Sequence, residues 1–167
     1  MDQTEATDAS GQDGEPELHR AWMRRCLALA LAAHEEGETA VGALITRGDD
    51  VIGEGSEETR SRLDPSAHAE VQAIRAACEH ERSCDLSGCT LYTTVEPCVL
   101  CAYAIRRTGV SHIVYGVPAG QAGGATSRYD ILLDRELAGW PPPPEIVAGV
   151  LAQECAELLR RPRQKRA

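Results

Sequence analysis

The chain has 167 residues, 43% of them apolar, and a formal net charge of −9. That length suits one domain with a full core. No apolar run reaches the roughly 18 residues that a membrane span needs, and a mildly acidic body is a poor electrostatic footprint for nucleic acid.

Residues 1–17 hold six carboxylates and no basic side chain, leaving the rest near −3. This stretch reads as a disordered acidic tail. It has neither the basic nor the apolar region of a secretory signal, so a cytoplasmic setting is expected. Seven cysteines, an odd number, agree with a reducing compartment.

Residues 18–36 place Leu18, Trp22, Cys26 and Leu29 or Ala30 at helical spacing, with Gly37 as a stop. "AVGALITR" (40–47) and "DVIGEGS" (50–56) flank a Gly/Asp turn and predict a hairpin. Residues 57–65 read as a polar loop. A helix follows, with Asp64 as cap and Pro65 in its first turn, and runs to about Arg82. "CTLYTTV" (89–95) predicts a strand, residues 97–109 a helix, and "SHIVYGV" (111–117) another strand. A Gly-rich loop (118–128) comes next, then a short helix near 128–136. "WPPPP" (140–144) forbids regular structure. A strand at 145–150 and a helix at 151–162 close the chain. Strands alternating with helices after a hairpin predict an α/β protein, a three-layer α/β/α sandwich around a mixed five-stranded sheet. The expected domain is 18–161, with 162–167 as a solvated basic tail.

Two short stretches carry the chemistry. "VEPCVLC" (95–101) sets Cys98 and Cys101 three apart at a helix start, where the dipole favours thiolate. Alone, this spacing also fits a redox pair. "DPSAHAEV" (64–71) sets His68 at another helix start, where a histidine needs no special purpose. Together they supply one nitrogen and two sulfurs, a donor set for tetrahedral zinc with one position left open. Glu70 lies about 200° around an ideal helix from His68, so the two cannot hold one ion side by side. At a helix end, Glu70 can instead reach a water in the open position and relay its proton. Cys78, His80, Cys84 and Cys89 match no zinc spacing.

His68-Ala69-Glu70 and Pro97-Cys98-Val99-Leu100-Cys101 together match the H-x-E…P-C-x-x-C signature of zinc deaminases. Over residues 18–161 the chain resembles the cytidine/deoxycytidylate deaminase superfamily, and within it bacterial tRNA adenosine deaminases and free-base guanine and cytosine deaminases. The resemblance implies zinc on His68, Cys98 and Cys101. It implies proton transfer by Glu70, hydrolysis of a ring amine to release ammonia, and a homodimer.

Two departures bear on substrate. Relatives carry an Asn where Glu57 stands, and Glu57 only accepts hydrogen bonds when ionised; a solvent-facing Glu57 is the plain alternative. The tRNA enzymes carry Gly-Ala-Arg-Asp where this chain has Gly116-Val117-Pro118-Ala119. With few aromatic residues as well, the expected substrate is a free amino-heterocycle such as guanine, cytosine, a pterin or an aminotriazine. The alternative is wobble adenosine in tRNA. Glu57, Tyr129 and Asp130 are the candidate substrate contacts.

Overall fold

The structure, a computed structural model, describes residues 14–163, with side chains from Glu17 onward. Most of the expected tails lie outside those residues.

Helix α1 (Gly14–Glu35) begins before the expected boundary at residue 18. Glu17 pairs with Arg20 and Arg24 at 3.8 and 3.1 Å, tying down its first turns. Its buried face is Met23, Cys26, Ala30 and Ala33; of the expected stripe Cys26 and Ala30 are buried and Trp22 and Leu29 half-buried, while Leu18 is 43% exposed. Strands β1 (Gly42–Arg47) and β2 (Asp50–Ser56) form the expected hairpin. The next elements are α2 (Thr59–Arg62), α3 (Ala69–Glu81), β3 (Thr90–Val95) and α4 (Val99–Thr108). The chain closes with β4 (His112–Val117), β5 (Glu145–Ala148) and α5 (Ala152–Leu159).

The sheet has five strands in the order β2-β1-β3-β4-β5. The pairs β1/β2 and β1/β3 are antiparallel; β3/β4 and β4/β5 are parallel. Side chains alternate across it. Ala43, Ile45, Leu91 and Ile113 pack with α3 and α4 on one face. Leu44, Tyr92 and Val114 pack with α1 and α5 on the other. This is the expected three-layer sandwich. Gly53 and Gly55 let α3 close on β2, because a Cβ at either would collide with the α3 backbone.

Three local expectations are corrected. The loop at 57–65 contains the single turn α2. The buried Glu38 carboxylate accepts from the Arg60 and Ser61 amides at 3.1 and 2.7 Å and does the work of a cap. Asp64 does not cap α3: its Oδ1 accepts from the Ser66 amide and hydroxyl at 2.8 and 2.7 Å, closing an Asx-turn, and α3 starts only at Ala69. The helix expected near 128–136 is absent. Buried Arg106 donates to the carbonyls of Ile131 (2.6 Å), Asp134 (2.7 Å) and Pro141 (3.0 Å), which hold that segment in turns. No described helix is long and apolar enough to cross a membrane.

Candidate active site

His68 and Cys98 occupy equivalent places. Each is the N-cap of its helix, with φ −72° and extended ψ, and neither side chain caps its own helix. Both side chains are therefore free to leave the helix start sideways. Packing of α3 and α4 on the same sheet face brings the two starts together. Cys101 stands one turn into α4 and points to the same spot.

The Nδ1 of His68 lies 3.5 Å from the sulfurs of both Cys98 and Cys101, and the sulfurs are 3.8 Å apart. Tetrahedral zinc with Zn–S of about 2.3 Å and Zn–N of about 2.05 Å sets S···S near 3.8 Å and S···N near 3.6 Å. The donor set therefore fits zinc in both chemistry and spacing. Among the described residues this is the one cluster of three such donors; Cys78, His80, Cys84 and Cys89 form none.

The electrostatics agree. Hydrogen bonding from Cys101, and then from the His68 ring, brings the Cys98 thiol down to about 4 against the pull of burial, so Cys98 is a thiolate. The hydrogen bond to Cys98 raises the His68 ring to about 9. The bond shared with Cys98, together with burial, pushes the Cys101 thiol up. Two converging helix N-termini add positive potential. A divalent cation here would hold both sulfurs as thiolates and the imidazole neutral.

Glu70 is 4% exposed, in the first turn of α3. Its Oε1 accepts from the Thr93 hydroxyl at 3.2 Å, and its Oε2 lies 3.4 Å from the Cys101 sulfur. Burial pushes its carboxyl up to about 7, suited to both taking and giving a proton. Thr93 was not among the candidates; a threonine in a strand reads as ordinary strand filling.

A cavity of about 190 Å³ opens over these groups, lined in part by His68, Glu70, Cys98, Glu57 and Glu96. It is smaller than the roughly 300 Å³ of a typical drug-sized pocket, so it takes one ring and not a stack. Glu57 faces this cavity. Burial raises its carboxyl, and Thr59 donates to it at 2.9 Å. Tyr129 and Asp130 do not line the cavity. Both are exposed, and Tyr129 borders a separate groove.

Glu96, which the sequence places directly before the Cys motif, serves the site through structure. It is 1% exposed. Its carboxylate accepts from the amides of Ala119 (2.9 Å), Ala125 (2.9 Å) and Thr126 (2.8 Å) and from the Thr126 hydroxyl (2.8 Å). Those four bonds fix the Gly-rich loop as a wall of the site. Gly123 crosses directly over the carboxylate, where a Cβ would collide with it. The one signal in the sequence was the position of Glu96, immediately before Pro97-Cys98.

A mixed sheet with three metal donors and a buried carboxyl at two helix starts defines a zinc-dependent hydrolase of C–N bonds. Residues 16–117 match the cytidine and deoxycytidylate deaminase zinc-binding region, and the chain belongs to that family. Among its relatives is a tRNA-specific adenosine deaminase of Haemophilus influenzae, 36% identical over 90% of this chain and 86% of that one. Another is a tRNA(Ile)-lysidine synthase of Deinococcus radiodurans, 38% identical over 93% of this chain; this chain spans 26% of that protein's length. A structure solved in work on A-to-I editing by tRNA:A34 deaminases matches with a TM-score of 0.77 and 31% identity, over 83% of this chain and 98% of that one. Guanine deaminase from Bacillus subtilis matches with a TM-score of 0.59 and 34% identity, over 65% of this chain and 69% of that one.

These likenesses correct the expectation of a free amino-heterocycle as substrate and small-molecule partner. The tRNA-specific relatives match over more of the chain, and more closely in fold, than the free-base enzyme. The physical reason is that net charge and aromatic content average over the whole surface. Substrate choice depends on the field and shape at the site alone.

Proposed function

We propose that this chain hydrolyses adenosine to inosine at the wobble position of transfer RNA, as a cytoplasmic homodimer. The match to the tRNA:A34 deaminase structure over 98% of that chain carries the reading. In the reaction, water adds to ring carbon 6, the exocyclic amine leaves as ammonia, and a ring carbonyl remains.

His68, Cys98 and Cys101 hold zinc. When bound, zinc acidifies water at its open position and polarises the reacting centre. Glu70 takes a proton from the attacking water and delivers it to the departing amine. Thr93 orients Glu70 through its hydroxyl. The small cavity admits one ring, so the target base must leave its stack to react. Glu57 lines the cavity and contacts the bound nucleoside.

The test is incubation of zinc-loaded protein with an anticodon stem-loop carrying adenosine at the wobble position, with inosine read by mass spectrometry. Stoichiometric inosine is expected, with binding that weakens as salt rises. Absence of inosine, alongside ammonia release from free bases, overturns the reading.

A further inference from the structure

Cys78 stands in the last turns of α3, and Cys84 lies in the loop that leaves it. Neither takes part in the site described above. We propose that Cys78 and Cys84 form a redox site, separate from the zinc site, which a hydroperoxide closes to a disulfide and a thiol reductant reopens.

The end of α3 brings the two residues together. The Ser83 amide donates to the Cys78 carbonyl at 3.1 Å, and the Arg82 amide donates to the Glu79 carbonyl at 3.2 Å. Arg82 takes the left-handed conformation that this pair of bonds requires, with φ 52°. The chain is thereby turned back over the last turn of the helix. Cys84, the next residue, comes to lie against Cys78, and the two thiols are in hydrogen-bonding contact. The loop is tied on the far side of Cys84 as well. The Asp85 amide donates to the Ser83 hydroxyl at 3.0 Å, and buried Leu86 donates its amide to the Thr108 carbonyl at 2.8 Å. Sulfurs already held together can join with little further loss of chain freedom.

Access to the two sulfurs is unequal. All seven cysteines lie among the described residues, and Cys84 is the exposed one; Cys78 is half-buried. Burial, and then the Cys84 sulfur beside it, push the Cys78 thiol up to about 11, so Cys78 keeps its proton near neutral pH. Attack on an oxidant needs an accessible thiolate, so Cys84 reacts first and Cys78 second. In the first step the Cys84 sulfur attacks hydrogen peroxide. An S–O bond forms, the O–O bond breaks, and the departing hydroxide takes the thiol proton and leaves as water. In the second step the Cys78 sulfur attacks the resulting sulfenic acid. The S–S bond forms, the S–O bond breaks, and hydroxide leaves as water with the Cys78 proton. Two electrons pass from the pair of sulfurs to the peroxide. Cys78 stands about 12 Å along the helix axis from Glu70, so the bond forms without touching the zinc donors.

The experiment treats zinc-loaded full-length protein with hydrogen peroxide, blocks the remaining thiols with iodoacetamide, and maps unreduced peptides by mass spectrometry. Trypsin cuts after Arg82 and so separates Cys78, in residues 76–82, from Cys84, in residues 83–106. A second cut before Asp85 parts Cys84 from Cys89, Cys98 and Cys101. In wild type, residues 76–82 joined to residues 83–84 are expected, lighter by two hydrogens than the separate thiol peptides, and dithiothreitol parts them. Cys84→Ser loses the cross-link and leaves Cys78 a free thiol. Cys78→Ser stops at the sulfenic acid, which dimedone traps on Cys84. Zinc stays bound in all three proteins. Should Cys78→Ser fail to fold, Cys84→Ser, changed at an exposed position, carries the test alone. Cys84 trapped as sulfenic or sulfinic acid in wild type, beside a free Cys78, overturns the proposal. So does a bond from Cys84 to another cysteine or to a second copy, zinc released before the cross-link appears, or both thiols left free.

Discussion

The two walls of the site are built by opposite means. On one side, the starts of α3 and α4 present His68, Glu70, Cys98 and Cys101 from regular helices packed on a sheet. On the other, residues 118–141 have little regular structure and are held by two buried side chains from elsewhere, Glu96 and Arg106. The first wall is fixed by backbone geometry, so its donors stand at zinc spacing. The second is fixed by side-chain hydrogen bonds, so it is the wall on which substrate preference can change without loss of the metal site.

Removing a donor from the helix wall has the largest expected effect. Cys101→Ala should lose stoichiometric zinc by mass spectrometry of metal content, with deamination down by at least about 10³-fold; chelation of wild type should do the same. Retained zinc and activity would erase the contrast between the walls. Glu70→Gln keeps the shape and should keep zinc, while kcat falls about 10²–10⁴-fold. On the other wall, Arg106→Leu leaves three carbonyls without their donor. It should lower stability by roughly 2–3 kcal/mol in chemical denaturation, with zinc still bound. Glu96→Gln is the mildest. KM should rise about tenfold, a factor that corresponds to about 1.4 kcal/mol of binding. Amide exchange should quicken at Ala119, Ala125 and Thr126 and stay slow in α3 and α4. Quickening in all four segments would show that the walls are one unit.

What the sequence disclosed follows the same division. Helix and strand periodicity over 40–117 located four of the five strands, a short apolar run at 145–150 the fifth, and two motifs of three and five residues located the donors. Each of those signals is local. The Asp64-Pro65 pair was misleading for a local reason too: an aspartate ahead of a helix serves an Asx-turn as readily as a cap. In the 118–141 wall the Gly-rich loop was legible, but what holds the segment was not, because its partners are distant. Arg106 reaches carbonyls 25 to 35 residues ahead of it, and Glu96 reaches amides 23 to 30 residues ahead. No periodicity records such a bond. Glu57 was legible as a departure from relatives, and its place facing the cavity emerged only from the fold.

Gly123 passing over Glu96 carries a consequence for how this protein can diverge. A larger residue at 123 has nowhere to go while the glutamate stands, and a shorter residue at 96 strands the amides that the loop has already turned inward. Neither change is tolerated first. In a randomised library selected for function, variants at 123 should surface only in company with changes at 96. The pair would then drift as one heritable unit, while the exposed arginines around it vary one by one.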